Sequence, residues 1–134
     1  MKLRSIMLID DDEPTNYVHQ IIIKRTIPKS EVICAHDGRE GLDMVKSNCP
    51  DSEDGNNLIF LDLNMPRMNG WEFLEEFENL SEEEKRKNKI YILSTSSLPF
   101  EKLKAKEQSL VNGMLTKPLT PNMLNQIVER EFAA

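Results

Sequence analysis

Leu58-Ile59-Phe60-Leu61-Asp62 is an apolar run that halts on a carboxylate, and Leu63-Asn64-Met65-Pro66-Arg67-Met68-Asn69-Gly70 follows it with four residues that resist regular structure, Asn64, Pro66, Asn69 and Gly70. Four consecutive apolar residues without polar alternation read as a strand buried on both faces. The breakers that follow read as a tight loop. Beyond them Phe73, Leu74, Phe77 and Leu80 recur at three- and four-residue spacing, with Glu72, Glu75, Glu76 and Glu78 interleaved, which predicts an amphipathic helix. This strand–loop–helix unit decides the fold, because it recurs on either side.

Upstream, Ile6-Met7-Leu8-Ile9 ends in Asp10-Asp11-Asp12-Glu13, and Val18, Ile21, Ile22 and Arg25 follow at helical spacing. Pro14 suits a first helical turn and Pro28 closes the helix. Glu31-Val32-Ile33-Cys34-Ala35 predicts a second strand, and Leu42 and Val45 a short helix after Asp37-Gly38. Ser47 to Asn57, with Pro50 and Gly55, reads as an exposed loop. Downstream, Ser81-Glu82-Glu83-Glu84 offers a capping box for one more helical turn. Ile90-Tyr91-Ile92-Leu93 is a fourth strand. Phe100, Leu103 and Leu110 lie on one face of a fourth main helix, Gly113-Met114-Leu115-Thr116 is a fifth strand, and Thr120-Pro121 opens a fifth main helix carrying Leu124, Ile127, Val128 and Phe132. Alternating apolar strands and helices predict an α/β fold, a parallel sheet with helices on both faces and right-handed crossovers.

The 134 residues suffice for one domain with its own core. With 39% hydrophobic and 30% charged residues the composition is that of an ordinary globular protein. No stretch approaches the roughly 18 apolar residues of a membrane span, and the N-terminus lacks a signal-peptide pattern. Cys34 and Cys49 do not form a metal-type pair, so reduced thiols in a cytoplasm are expected. The net charge of −6 argues against non-specific nucleic-acid binding. It is unevenly spread: residues 1–84 carry 8 basic against 19 acidic side chains, a net of −11, and residues 85–134 carry 9 against 4, a net of +5.

In an open parallel sheet, sites form beyond the carboxyl ends of the strands. Here strand 1 ends in Asp10-Asp11-Asp12, strand 3 in Asp62, strand 4 in Ser94-Thr95 and strand 5 in Thr116-Lys117-Pro118. Singly, each has a plain explanation: acids cap helices, hydroxyls start turns, and Lys-Pro is a common loop dipeptide. Jointly they bring carboxylates from two strands to a hydroxyl and an amine from two others. Crowded aspartates repel and raise at least one pKa. A hard divalent cation such as Mg²⁺, held by carboxylates and retaining waters, removes that conflict. The chemistry that fits the set is phosphoryl transfer to a carboxylate.

These phrases, together with Asp37-Gly38 and the whole of Asp62 to Gly70, resemble the receiver domain of two-component response regulators, stand-alone and chemotaxis-regulator-like, over about residues 5–132. The resemblance implies a flavodoxin-like, doubly wound, five-stranded parallel sheet of order 2-1-3-4-5, filling residues 1–134 as a single domain with no output domain. It implies Asp62 as phospho-acceptor, and a Mg²⁺ site made of Asp10, Asp11, Asp62 and the backbone carbonyl of Asn64. Lys117 would pair with the phosphoryl oxygens, and its bond to Pro118 is expected cis. Ser94 would hydrogen-bond the phosphoryl group, with Thr95 as the alternative in the Ser94-Thr95-Ser96-Ser97 run. Pro66 and Gly70 would shape the acceptor loop. Met114 stands where the family usually has an aromatic switch residue. The segments Cys49 to Asn57 and Ser81 to Lys89 are longer than in minimal receivers and loosely resemble the phytochrome-associated kind.

The implied partners are a histidine kinase or histidine phosphotransfer protein as donor, and a downstream protein bound at the helix 4–strand 5–helix 5 face. No direct nucleic-acid or membrane contact is expected, and the chain is expected to be a monomer or weak homodimer in the cytoplasm. Regulation is expected, with no turnover of an external substrate. Two other readings compete: a phosphorylation-independent receiver-like adaptor, and a small haloacid-dehalogenase-like phosphatase using Asp10. His19 is expected to be exposed or to lie on a helix face, and Trp71 near the start of the third helix. An EF-hand is excluded, because Thr15 and Ile21 occupy the positions that need Gly and Glu.

Overall fold

A computed structural model describes residues 3–48, 56–95 and 98–132. The elements are β1 (Leu3–Ile9), α1 (Glu13–Thr26), β2 (Glu31–Ala35), α2 (Gly38–Asn48), β3 (Asn56–Leu61), α3 (Gly70–Glu78), α4 (Glu82–Arg86), β4 (Asn88–Ser94), α5 (Pro99–Glu107), β5 (Val111–Thr116) and α6 (Pro121–Phe132). The five strands form one parallel sheet of order β2-β1-β3-β4-β5, as expected. The short α4 makes the expected helix 4–strand 5–helix 5 face α5–β5–α6. Residues 49–55, and with them Cys49 and most of the loop read from Ser47 to Asn57, lie outside the described residues, as do Ser96 and Ser97. Among the described residues no helix is long and apolar enough to cross a membrane.

The strands read as unbroken apolar runs because both faces of the sheet are covered. Met7, Ile9, Ile59, Leu61 and Ile90 pack with Leu42 and Val45 of α2 and with Phe73, Leu74 and Phe77 of α3. Their neighbours in sequence, Ile6, Leu8, Leu58, Phe60 and Tyr91, point the other way and pack with Ile23 of α1 and with Leu124, Ile127 and Phe132 of α6. Local signals set the helix starts. Asp12 caps α1 by accepting the Thr15 N–H, and both Asn69–Glu72 and Ser81–Glu84 complete reciprocal capping boxes for α3 and α4.

Several expectations are corrected. Strands β1, β3 and β4 begin earlier than their apolar runs, because polar residues at that end of the sheet satisfy one another, and β5 begins at Val111, two residues before Gly113. Ser5 Oγ donates to Asn57 Oδ1 at 2.6 Å, Asn57 Nδ2 to Asn88 Oδ1 at 3.1 Å, and Asn88 Nδ2 to the Glu84 carbonyl at 2.6 Å. The helix after β4 stops at Glu107, and Leu110 packs from the following turn against the α2–α3 side of the core. The buried stripe of α1 is Asn16, His19 and Ile23, whereas Val18 and Ile21 are exposed, at 49% and 37%. The apolar stripe suggested the opposite orientation. His19 is therefore buried, at 2% exposure, and not on an exposed face. Phe100 and Leu103, read as the apolar face of a helix, are also exposed, at 68% and 59%.

Candidate functional site

The strand order reverses direction between β1 and β3, where successive connections leave for opposite sides of the sheet. The crevice at such a point is where open α/β sheets bind ligands. Asp10 and Asp11 follow β1 and Asp62 follows β3, so the topology brings them together. One carboxylate oxygen from each of Asp10, Asp11 and Asp62 lies within 4.8 Å of the others. Asp10 and Asp62 are buried, at 5% and 8% exposure, and Asp11 is open to solvent.

Both oxygens of Asp10 are engaged: Oδ1 accepts the Asp12 N–H at 2.9 Å, and Oδ2 accepts from Lys117 Nζ at 2.5 Å. Lys117 reaches this point from the end of β5 and stands 3.6 Å from Asp62 Oδ1. That same Asp62 oxygen accepts the Leu63 N–H at 3.0 Å. Burial pushes the Asp62 carboxyl up to about 6, and the Asp10 carboxylate adds to the effect. The Lys117 ammonium and the Leu63 N–H oppose the rise without cancelling it. A set of carboxylate oxygens alone, crowded and under-compensated, fits a hard divalent cation such as Mg²⁺ and does not fit a thiolate- or imidazole-seeking metal.

The loop after Asp62 is held close to it. Gly70 N–H donates to the Leu63 carbonyl at 3.0 Å, and a Cβ at position 70 would lie 2.5 Å from the Asp62 carbonyl oxygen. Only glycine permits that approach. Asn64 and Pro66 are exposed on the loop. Arg67 adopts a left-handed φ of 64° and forms an ion pair with the buried Asp37. Gly38 N–H donates to the Met68 carbonyl at 3.0 Å, so the loops after β2 and β3 are joined twice.

At β4, Ser94 is completely buried and pairs in register with Thr116, and its carbonyl accepts the Lys117 N–H at 2.8 Å. Thr95 is exposed and borders the cleft that Lys117, Pro118, Pro14 and His19 also line. The Lys117–Pro118 bond is cis, as expected. Met114 is half-buried against Leu63, Ile92 and Ala105, and it borders a groove of about 330 Å³ flanked by Lys102 and Lys106. Trp71, at the start of α3, lies under Lys104 of α5, whose Nζ is 4.5 Å from the ring centroid.

Sequence reasoning missed two side chains near the site. Asn16 Nδ2 donates to the Asp10 carbonyl at 2.9 Å, and His19 Nε2 accepts the Leu119 N–H at 3.2 Å. Their spacing from Ile23 was the available signal, since residues three, four and seven apart share a helix face.

The family model described as the response regulator receiver domain matches residues 6–129. A two-component response regulator from Cytophaga hutchinsonii superposes with a TM-score of 0.85 and 30% identity, covering 97% of both chains. The chemotaxis protein CheY4 of Vibrio cholerae gives a TM-score of 0.71 and 27% identity, covering 96% of this chain and 98% of that one. The sensory/regulatory protein RpfC of Xanthomonas campestris is 27% identical over 121 residues, 88% of this chain. The chain spans about 15% of the length of that curated relative.

Proposed function

The chain belongs to the response regulator receiver family, and from that premise we propose that it is a Mg²⁺-dependent phospho-acceptor in two-component signalling, with Asp62 as the residue phosphorylated. The observation that carries the reading is the environment of Asp62: buried, pushed up to about 6, and placed beside the Asp10–Lys117 ion pair. Asp10, Asp11, Asp62 and the Asn64 carbonyl would hold Mg²⁺, which neutralises these carboxylates and the oxygens of the transferring group. An Asp62 carboxylate oxygen attacks the phosphorus of a phosphohistidine donor. The P–N bond breaks, and the departing imidazole keeps its electron pair and takes a proton. Lys117 pairs with the phosphoryl oxygens, and the hydroxyl of Ser94, or of Thr95 beside it, donates to them.

The donor would be a histidine kinase or a histidine phosphotransfer protein, and the signal would leave through a protein bound to the α5–β5–α6 face. No turnover of an external substrate is proposed. The engagement of both Asp10 oxygens disfavours the phosphatase reading, in which Asp10 would be the nucleophile. One feature favours a phosphorylation-independent adaptor, namely Met114 in place of an aromatic switch residue. Incubation with acetyl phosphate and Mg²⁺ separates the two. An acceptor gains acid-labile phosphate that Asp62→Asn does not, and equal labelling of both proteins, or none of the wild type, rejects the acceptor.

A further inference from the structure

Two polar side chains on the inward face of α1 hold the two loops from which the Asp10–Lys117 pair is built. We propose that Asn16 and His19 are positioning residues for phosphoryl transfer, Asn16 acting through Asp10 on the metal and His19 acting through Leu119 on Lys117. The proposal rests on the reading of Asp62 as phospho-acceptor.

Asn16 and His19 are 4% and 2% exposed and lie one helical turn apart, beside the apolar Ile23. Neither forms its hydrogen bond within the helix. Asn16 Nδ2 donates to the carbonyl of Asp10, so it fixes the backbone that carries one member of the ion pair. His19 Nε2 accepts from the N–H of Leu119, two residues beyond the other member. Accepting at Nε2 fixes the neutral tautomer, with the proton on Nδ1. Pro118 has no N–H, so the Lys117–Pro118 segment is anchored by the amides on either side of it: Lys117 N–H to the Ser94 carbonyl, and Leu119 N–H to His19. One helix face thus sets the separation of two loops whose side chains meet at 2.5 Å.

Packing alone does not call for these residues. An apolar side chain at either position would avoid the desolvation of a buried polar group. Asn16 Oδ1 is buried and receives no donor among the described residues, so leucine there would remove an unpaired atom. Asn16 and His19 instead line, with Asp10 and Asp62, a cavity of about 10 Å³ directly behind the carboxylates. Both are placed where a loop backbone must be held, and each loop carries one charged group of the site.

The test measures two quantities on the purified chain: Mg²⁺ affinity by calorimetry, and the initial rate of labelling by acetyl phosphate at saturating Mg²⁺. His19→Leu is expected to slow labelling at least tenfold while the Mg²⁺ dissociation constant stays within twofold of wild type. His19→Gln, whose amide oxygen can accept the Leu119 N–H, is expected to recover most of the rate. Asn16→Leu is expected to weaken Mg²⁺ at least fivefold. His19→Phe is the acceptor-free comparison if thermal melting shows that His19→Leu does not fold. The proposal is overturned if the acceptor-free variants label at the wild-type rate, if His19→Gln is no faster than they are, or if Asn16→Leu binds Mg²⁺ normally. A wild type that takes up no phosphoryl group overturns the acceptor reading and this proposal together, before any variant is made.

Discussion

Lys117 Nζ stands 2.5 Å from Asp10 and 3.6 Å from Asp62, so the ammonium sits on the acid that does not react and only grazes the one proposed to. Asp10 is compensated at close range. Asp62, nearly as buried, keeps a carboxyl pushed up to about 6. That asymmetry makes Asp62 the destabilising group of the cluster in metal-free protein.

Asp62→Asn is therefore expected to stabilise the metal-free chain at neutral pH. The folded-state pKa lies above the unfolded value, so between roughly pH 4 and 6 the native state binds the extra proton. The contribution of Asp62 to stability consequently falls as pH rises through that window. The variant should gain on the order of 2 kcal/mol above pH 7 and nothing near pH 3. Urea melts at a series of pH values measure the gain, and saturating Mg²⁺ should shrink it by stabilising only the wild type.

Removing one partner of a nearly buried ion pair leaves the other uncompensated. Lys117→Met should destabilise the fold by about 3 kcal/mol. Asp10→Asn in the same chain should restore most of that loss, because no isolated charge remains. A double-mutant cycle in which the two effects simply add would show that the pair contributes no coupling.

Gly70 admits no side chain. In Gly70→Ala the new Cβ would stand 2.5 Å from the Asp62 carbonyl oxygen and 2.9 Å from the Leu63 Cα, both backbone atoms that cannot swing aside. A loss of about 2–3 kcal/mol is expected. Displacement of the acceptor backbone should also slow labelling by acetyl phosphate, in a sample that circular dichroism shows to be folded.

The two hydroxyls at the end of β4 differ in accessibility, Ser94 being completely buried and Thr95 exposed. Ser94→Ala should slow labelling about a hundredfold, the effect expected for loss of one donor to the transferring group. Thr95→Ala should change the rate less than threefold and the stability by under about 0.5 kcal/mol, as surface substitutions do. Reversed effects would move the proposed role one residue along the chain.

What the sequence made legible was whatever topology alone controls. Asp10, Asp11, Asp62 and Lys117 end strands, and a parallel sheet of this order gathers strand ends whatever the details of packing. The capping box at Ser81 was legible because its partner is three residues away. The orientation of α1 was not. Two of its apolar residues, Val18 and Ile21, face solvent, while Asn16 and His19 face inward beside Ile23 to satisfy backbone groups outside the helix, Leu119 being one hundred residues from His19. The polar rung of Ser5, Asn57 and Asn88 was hidden for the same reason: each residue is soluble by itself and buried only by virtue of the other two.

The double join between the loops after β2 and β3 has a mechanical consequence. On that side of Asp62 the backbone is pinned by Gly38 to Met68 and by Asp37 to Arg67. On the opposite side α5 buries a single residue, Ala105. A new charge at Asp62 thus meets a stiff wall in one direction and a loosely seated helix in the other. Were Asp62 phosphorylated as proposed, this difference in compliance would steer the resulting strain toward α5, and the pinned loops would set the direction of the output.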